Sequence, residues 1–184
     1  MSEINPVKFI VDNTELIIRT AQVTDAEKLL DYTKFSAEDS KYLLRASSEE
    51  FTLTVEQEKE WIQKNLDHEN SVVIICMAGD ELISITDARG GARQRISHIA
   101  GLGTSVAKKW RGKGIGKAMM KELCNWAKAN KTLEFLELSV MGDNHVARSL
   151  YKSLGFVKIA EKPKAFKYED GTYQTDIIMR LSLT

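Results

Sequence analysis

Apolar positions along the chain switch between alternate and helical spacing, which predicts strands interleaved with amphipathic helices. Residues 7–12 are apolar enough to pack but carry no functional signal, and residues 16–20 read as a strand. Thr24, with Glu27 three residues on, predicts a capping box that opens a helix turning Leu29, Leu30 and Phe35 inward. Residues 38–51 are polar and irregular, with Tyr42, Leu43 and Leu44 as their apolar part, a place for a substrate wall or lid. A second helix follows from Thr54 with Trp61, Ile62 and Leu66 on one side.

Residues 71–77 and 81–87 are β-rich runs around Ala78-Gly79-Asp80, a hairpin signature. Residues 89–95, RGGARQR, read as a mobile, solvated basic turn. Residues 96–106 form a long strand in which Gly101 and Gly103 mark a bulge or a close backbone approach. Then Ile115, Ala118, Met119, Leu123, Trp126 and Ala127 recur at helical spacing, with Lys117, Lys121 and Lys128 facing outward. Residues 133–140 are a strand. Ala147, Leu150, Tyr151 and Leu154 stripe a further helix that ends at Gly155, a good left-handed cap. Residues 156–160 and 173–183 are the last strands, with a hairpin signal at Asp170-Gly171.

With 184 residues, two prolines and no linker-like stretch, the chain reads as a single domain over 1–184, residues 1–14 forming an N-terminal extension. Lys plus Arg and Asp plus Glu stand at 26 each, so nothing in the overall charge drives nucleic-acid or membrane-surface binding. The longest apolar run, residues 72–78, is too short to span a bilayer, and residues 1–6 lack the pattern of a signal peptide, so a cytoplasmic protein is expected. Cys76 and Cys124 read as reduced core residues, and His68, His98 and His145 have no metal-ligand spacing, so no metal is expected.

The candidate chemistry lies at WRGKGIGK, residues 110–117, where Gly112, Gly114 and Gly116 separate a strand from a helix. A loop with so few Cβ atoms lets backbone N–H groups converge on a phosphate at a helix N-terminus, and Arg111, Lys113 and Lys117 add positive charge. A nucleoside-triphosphate loop fails on spacing, and Ala118 offers no hydroxyl for magnesium. The dinucleotide fingerprint fails because Lys117 stands where its third glycine belongs.

What remains is Arg/Gln-x-x-Gly-x-Gly, met by Arg111, Gly114 and Gly116, followed after the strand LELSV by Asn144-x-x-Ala147-x-x-x-Tyr151-x-x-x-Gly155-Phe156. In order and separation these two motifs resemble the GNAT superfamily of acetyl-CoA-dependent N-acetyltransferases, strongly over residues 101–156. The resemblance implies an α/β fold of the α+β type: a mixed, mostly antiparallel twisted sheet flanked by helices, with a splayed parallel strand pair where the coenzyme enters. It implies that backbone groups of Thr104, Ser105 and Val106 pair with the pantetheine arm. The loop of Arg111, Gly112, Lys113, Gly114, Ile115 and Gly116 then holds the pyrophosphate, and Asn144 bonds the arm. Tyr151 is implied as the acid that protonates the departing thiolate; by periodicity alone it is equally a core aromatic.

The reaction so implied is direct attack of a primary amine on the acetyl group of acetyl-CoA, with a small-molecule amine favoured over a protein N-terminus. Bacterial enzymes that acetylate ribosomal-protein N-termini place a glutamate five residues before the asparagine, where this chain has Ser139. Glu137 and His98 are the nearest alternatives, and the general base is unassigned. A non-catalytic acyl-CoA sensor, a partner-binding scaffold and a homodimer remain open at this stage.

Overall fold

The computed structural model describes residues 3–43 and 52–184, the side chains of residues 37–39 apart. Its frame is an eight-stranded sheet in the order β1-β2-β3-β4-β5-β6-β8-β7. The strands are β1 (Val7–Val11), β2 (Thr14–Thr20), β3 (Val72–Ala78), β4 (Glu81–Gly90), β5 (Ile99–Val106), β6 (Phe135–Met141), β7 (Val157–Lys167) and β8 (Tyr173–Ser182). Every neighbouring pair is antiparallel except β5 and β6. Helices α1 (Ala26–Asp39) and α2 (Val55–Asp67) cover one face, and α3 (Ile115–Ala129) with α4 (His145–Ser153) covers the other.

β3 shows why its sequence is almost wholly apolar. Val72, Ile74 and Cys76 enter the core beneath α3, while Val73, Ile75 and Met77 enter the core beneath α1 and α2. A strand buried on both faces has no polar alternation to display. Of the predicted α3 stripe, Ile115, Met119, Leu123, Trp126 and Ala127 are buried and Ala118 is half-buried. Both cysteines are free and buried.

Several expectations are corrected. Residues 7–11 form the edge strand of the sheet, joined to β2 through Asp12 and Asn13, both at positive φ (47° and 62°) in a two-residue turn. The predicted Thr24–Glu27 capping box does not form. The Asp25 carboxylate instead accepts the Gln22 N–H at 2.7 Å and two bonds from the Arg19 guanidinium at 2.7 and 2.8 Å, so a 3-10 turn over Val23–Asp25 precedes α1. Phe35, expected to turn inward, is 61% exposed and lines an open cavity with Tyr32, Leu82 and Ala107.

The long strand begins at Ile99 rather than residue 96, since Gln94–Ile96 is a 3-10 turn. Arg89 and Gly90, expected in a mobile turn, complete β4. Gly101 and Gly103 sit in unbroken register opposite Arg89 and Asp87, with no bulge. The bulge lies on the other edge of β4, where Leu82 pairs with Met77 and Ser84 with Cys76, leaving Ile83 as the extra residue. The expected wall or lid over residues 38–51 falls largely outside the described residues: its start is the end of α1, Tyr42 and Leu43 are described, and Leu44 is not.

Candidate functional site

β5 and β6 run parallel and pair at three positions, Ile99 with Phe135, Ala100 with Leu136 and Gly101 with Glu137. Beyond these the strands part, because each follows its own antiparallel neighbour. β5 stays on β4 as far as Val106 opposite Ser84, and β6 stays on β8 as far as Met141 opposite Asp176. The result is a split whose one lip is Thr104, Ser105 and Val106. Their side chains are already held within the fold: the Thr104 hydroxyl shares a 2.7 Å hydrogen bond with Thr86, and the Ser105 hydroxyl shares one of 3.0 Å with Tyr32. Backbone on the β6 side is therefore what this lip offers to an extended polar chain.

The glycine loop closes the wide end of the split. Gly112 and Gly114 have φ of +76° and +82°, and a Cβ at either position would meet nothing within 4 Å, so the loop borders open space. Gly114 is the N-cap of α3, and the Ala118 N–H is the first to reach an intrahelical carbonyl, that of Gly114 at 3.0 Å. The N–H groups of Gly112, Lys113, Gly114, Ile115 and Gly116 have no backbone partner among the described residues, and a run of unpaired donors at a helix start suits an anion. Two of the basic side chains expected here are engaged within the chain. Arg111 donates through Nε to the Val106 carbonyl at 2.8 Å, and Lys113 pairs with Asp12 at 2.7 Å over the Trp110 ring. They anchor the loop to the strand end and to the β1–β2 turn.

Asn144 caps α4, its Oδ1 accepting the Ala147 N–H at 3.2 Å, which leaves its amide NH2 to donate elsewhere. Two helical turns on from Asn144, Tyr151 is 7% exposed and packs against Phe156 at 5.9 Å. Its hydroxyl has no hydrogen-bond partner among the described residues. Burial pushes the phenol up to about 12, so it is protonated at any working pH.

The candidate bases read from sequence sit at the closed end. Glu137 belongs to the last paired position and accepts Arg180 at 2.6 and 3.0 Å; His98 precedes β5 and stacks edge-on against Phe135. Ser139 donates to Asp176 of β8, whose carboxylate also faces Lys162 at 3.8 Å.

A different carboxylate was missed. Asp87 on β4 faces Gly103 on β5, and its Oδ1 would lie 3.1 Å from a Cβ at that position. Burial raises it from 3.8 to about 6, against the pull of Arg89 2.7 Å away. Gly101 and Gly103 put no side chain on β5 opposite Arg89 and Asp87. The two glycines are the signal, which sequence reads as a bulge or a close backbone approach rather than as room for a neighbour's carboxylate.

With that geometry in view, comparison with known proteins is informative. Residues 39–156 match the model of the Acetyltransferase (GNAT) family. The chain is 31% identical over 106 residues to the L-amino acid N-acetyltransferase AaaT of Escherichia coli, an alignment covering 55% of this chain and 61% of that protein. A GNAT-family acetyltransferase structure from Streptococcus pneumoniae superposes with a TM-score of 0.88 at 23% identity, over 91% of this chain and 99% of that one. The Salmonella typhimurium acetyltransferase yncA, solved with its cofactor acetyl-CoA, gives 0.80 at 15% identity over 92% and 94%. The match extends from the end of α1 through α4, across the split, the glycine loop and Tyr151, and this chain belongs to the Acetyltransferase (GNAT) family.

Proposed function

We propose that the chain is an acetyl-CoA-dependent N-acetyltransferase acting on a primary amine, with a small-molecule amine favoured over a protein N-terminus. The observation that carries this reading is the coincidence of the open β5–β6 split, the outward loop and an unpartnered tyrosine hydroxyl on α4. The residues fit the coenzyme. Thr104, Ser105 and Val106 would take its arm through backbone groups, residues 111–116 its pyrophosphate, and Asn144 a carbonyl of the arm. The name of the E. coli relative supports a small amine acceptor.

Acetyl-CoA supplies an activated acyl group: the N–C bond forms as the C–S bond breaks and the electron pair passes to sulfur. The chain's part is proton handling and placement. Asp87, poised near 6, accepts the proton the amine must lose, directly or through water along the bare face of β5. Tyr151 donates to the sulfur as negative charge grows there. An acyl-CoA sensor would have no use for such a donor.

A thiol-release screen with amino acids, polyamines, aminoglycosides and N-terminal peptides tests the reading. Acetylated product from a small amine is expected. CoA binding without release with any amine would overturn the enzyme in favour of a sensor.

A further inference from the structure

Three segments far apart in the chain meet beside the open end of β6. Lys41, just after α1, places its ammonium 2.9 Å from Asp143 Oδ2, a contact spanning 102 positions. The same ammonium lies 4.9 Å from the centroid of the Tyr42 ring and 5.4 Å from that of Tyr168, which comes from the β7–β8 hairpin. The Tyr168 hydroxyl donates to the Asp143 carboxylate at 3.2 and 3.3 Å and lies 3.3 Å from the Met141 sulfur, and the Tyr42 hydroxyl donates to the Asp143 carbonyl at 3.4 Å. One carboxylate and two aromatic faces around a single ammonium form a complete cation site.

Its position matters as much as its chemistry. Asp143 immediately precedes Asn144, and Met141 ends the β6 lip of the split. The Lys41 tether is exposed, so its head group can leave for solvent at little cost.

We infer that Tyr42, Asp143 and Tyr168 form a recognition cage for the second cationic group of a diamine acceptor, and that Lys41 is an internal occupant which this acceptor displaces. The inference rests on the N-acetyltransferase reading and narrows it to aliphatic amines carrying a second positive charge. An acceptor of this kind presents one nitrogen to the split while the cage holds the other. A monoamine of equal length leaves Lys41 in place and gains nothing from the cage.

The test is calorimetry on the full chain saturated with CoA, where no turnover occurs, using 1,5-diaminopentane and 1-aminopentane. In Lys41→Ala the diamine is expected to bind about tenfold tighter than in the parent, and the monoamine to change less than about twofold. Adding Asp143→Asn to Lys41→Ala should erase the diamine's advantage, and Tyr168→Leu, which removes one aromatic face and a hydrogen bond to the carboxylate while keeping its charge, should reduce it. Melting curves of each variant establish that it is folded. A diamine-to-monoamine ratio that is the same in all four proteins would overturn the cage. Diamine-selective binding without acetyl transfer would leave the cage standing and reject the enzyme reading instead.

Discussion

Asp87 and Gly103 face each other across β4 and β5, and a Cβ on residue 103 would crowd the carboxylate, 3.1 Å from its Oδ1. The absence of one side chain on β5 thus gives room to a half-buried acid on β4. Folding strengthens the hold of Asp87 on its proton, raising it from 3.8 to about 6 because burial disfavours the charged form.

The folded chain therefore binds more protons than the unfolded chain between these values. The contribution of Asp87 is most favourable below about pH 4, declines as pH rises through about 6 and stays unfavourable above. Asp87→Asn is expected to gain on the order of 2 kcal/mol at pH 8 and little at pH 4. Urea unfolding at the two pH values measures this. Turnover at pH 7.5 should fall about a hundredfold or more, and kcat/KM of the parent should rise through about pH 6. A stabilised Asp87→Asn protein with normal turnover would remove Asp87 from the mechanism.

Tyr151→Phe keeps the ring against Phe156 and removes a hydroxyl that bonds nothing among the described residues. Tm and CoA affinity are expected to stay within error while kcat drops about a hundredfold. A lowered Tm with full turnover would identify a structural tyrosine.

Gly114→Val forces a β-branched residue to φ +82° at the N-cap of α3. The strain is roughly 1–2 kcal/mol, and relieving it turns the loop's N–H groups away from the anion. CoA affinity by calorimetry should weaken about tenfold or more in a protein that stays folded; unchanged affinity would reject the cradle.

Asp25 tests the scaffold away from the chemistry. Burial favours its protonated form, but the Arg19 hydrogen bonds and the Gln22 N–H outweigh this and hold the carboxyl below its ordinary value. Its stabilising effect is present at neutral pH and is lost as pH falls through that lowered value. Asp25→Ala is expected to cost about 3 kcal/mol at pH 7, with the gap to the parent narrowing towards pH 2 in urea titrations.

Much of the site could be read in advance because its signals are local. Gly112, Gly114 and Gly116 announce an unusual backbone, and the helices carrying Met119 and Tyr151 show their stripes. Asp87 could not be read this way, since its hold on a proton comes from burial in the folded sheet, opposite Gly103 on the next strand. The cage around Lys41 needs residues 41, 143 and 168 in one place, which no periodicity encodes. Phe35 failed for a related reason: its helical phase permitted burial, but what lies opposite it is an open cavity rather than a packed core.

The three shared positions of β5 and β6 make the sheet two plates, β1–β5 and β6–β8, meeting at a short seam. A ligand that bonds both lips supplies the missing rungs and stiffens one plate against the other. Amide exchange at residues 102–106 and 138–141 should then slow together when CoA is added, while the rest of each plate, already braced by antiparallel neighbours, changes little. The coenzyme would act here as a removable strand, so that the rigidity of the catalytic centre lasts only as long as its occupancy.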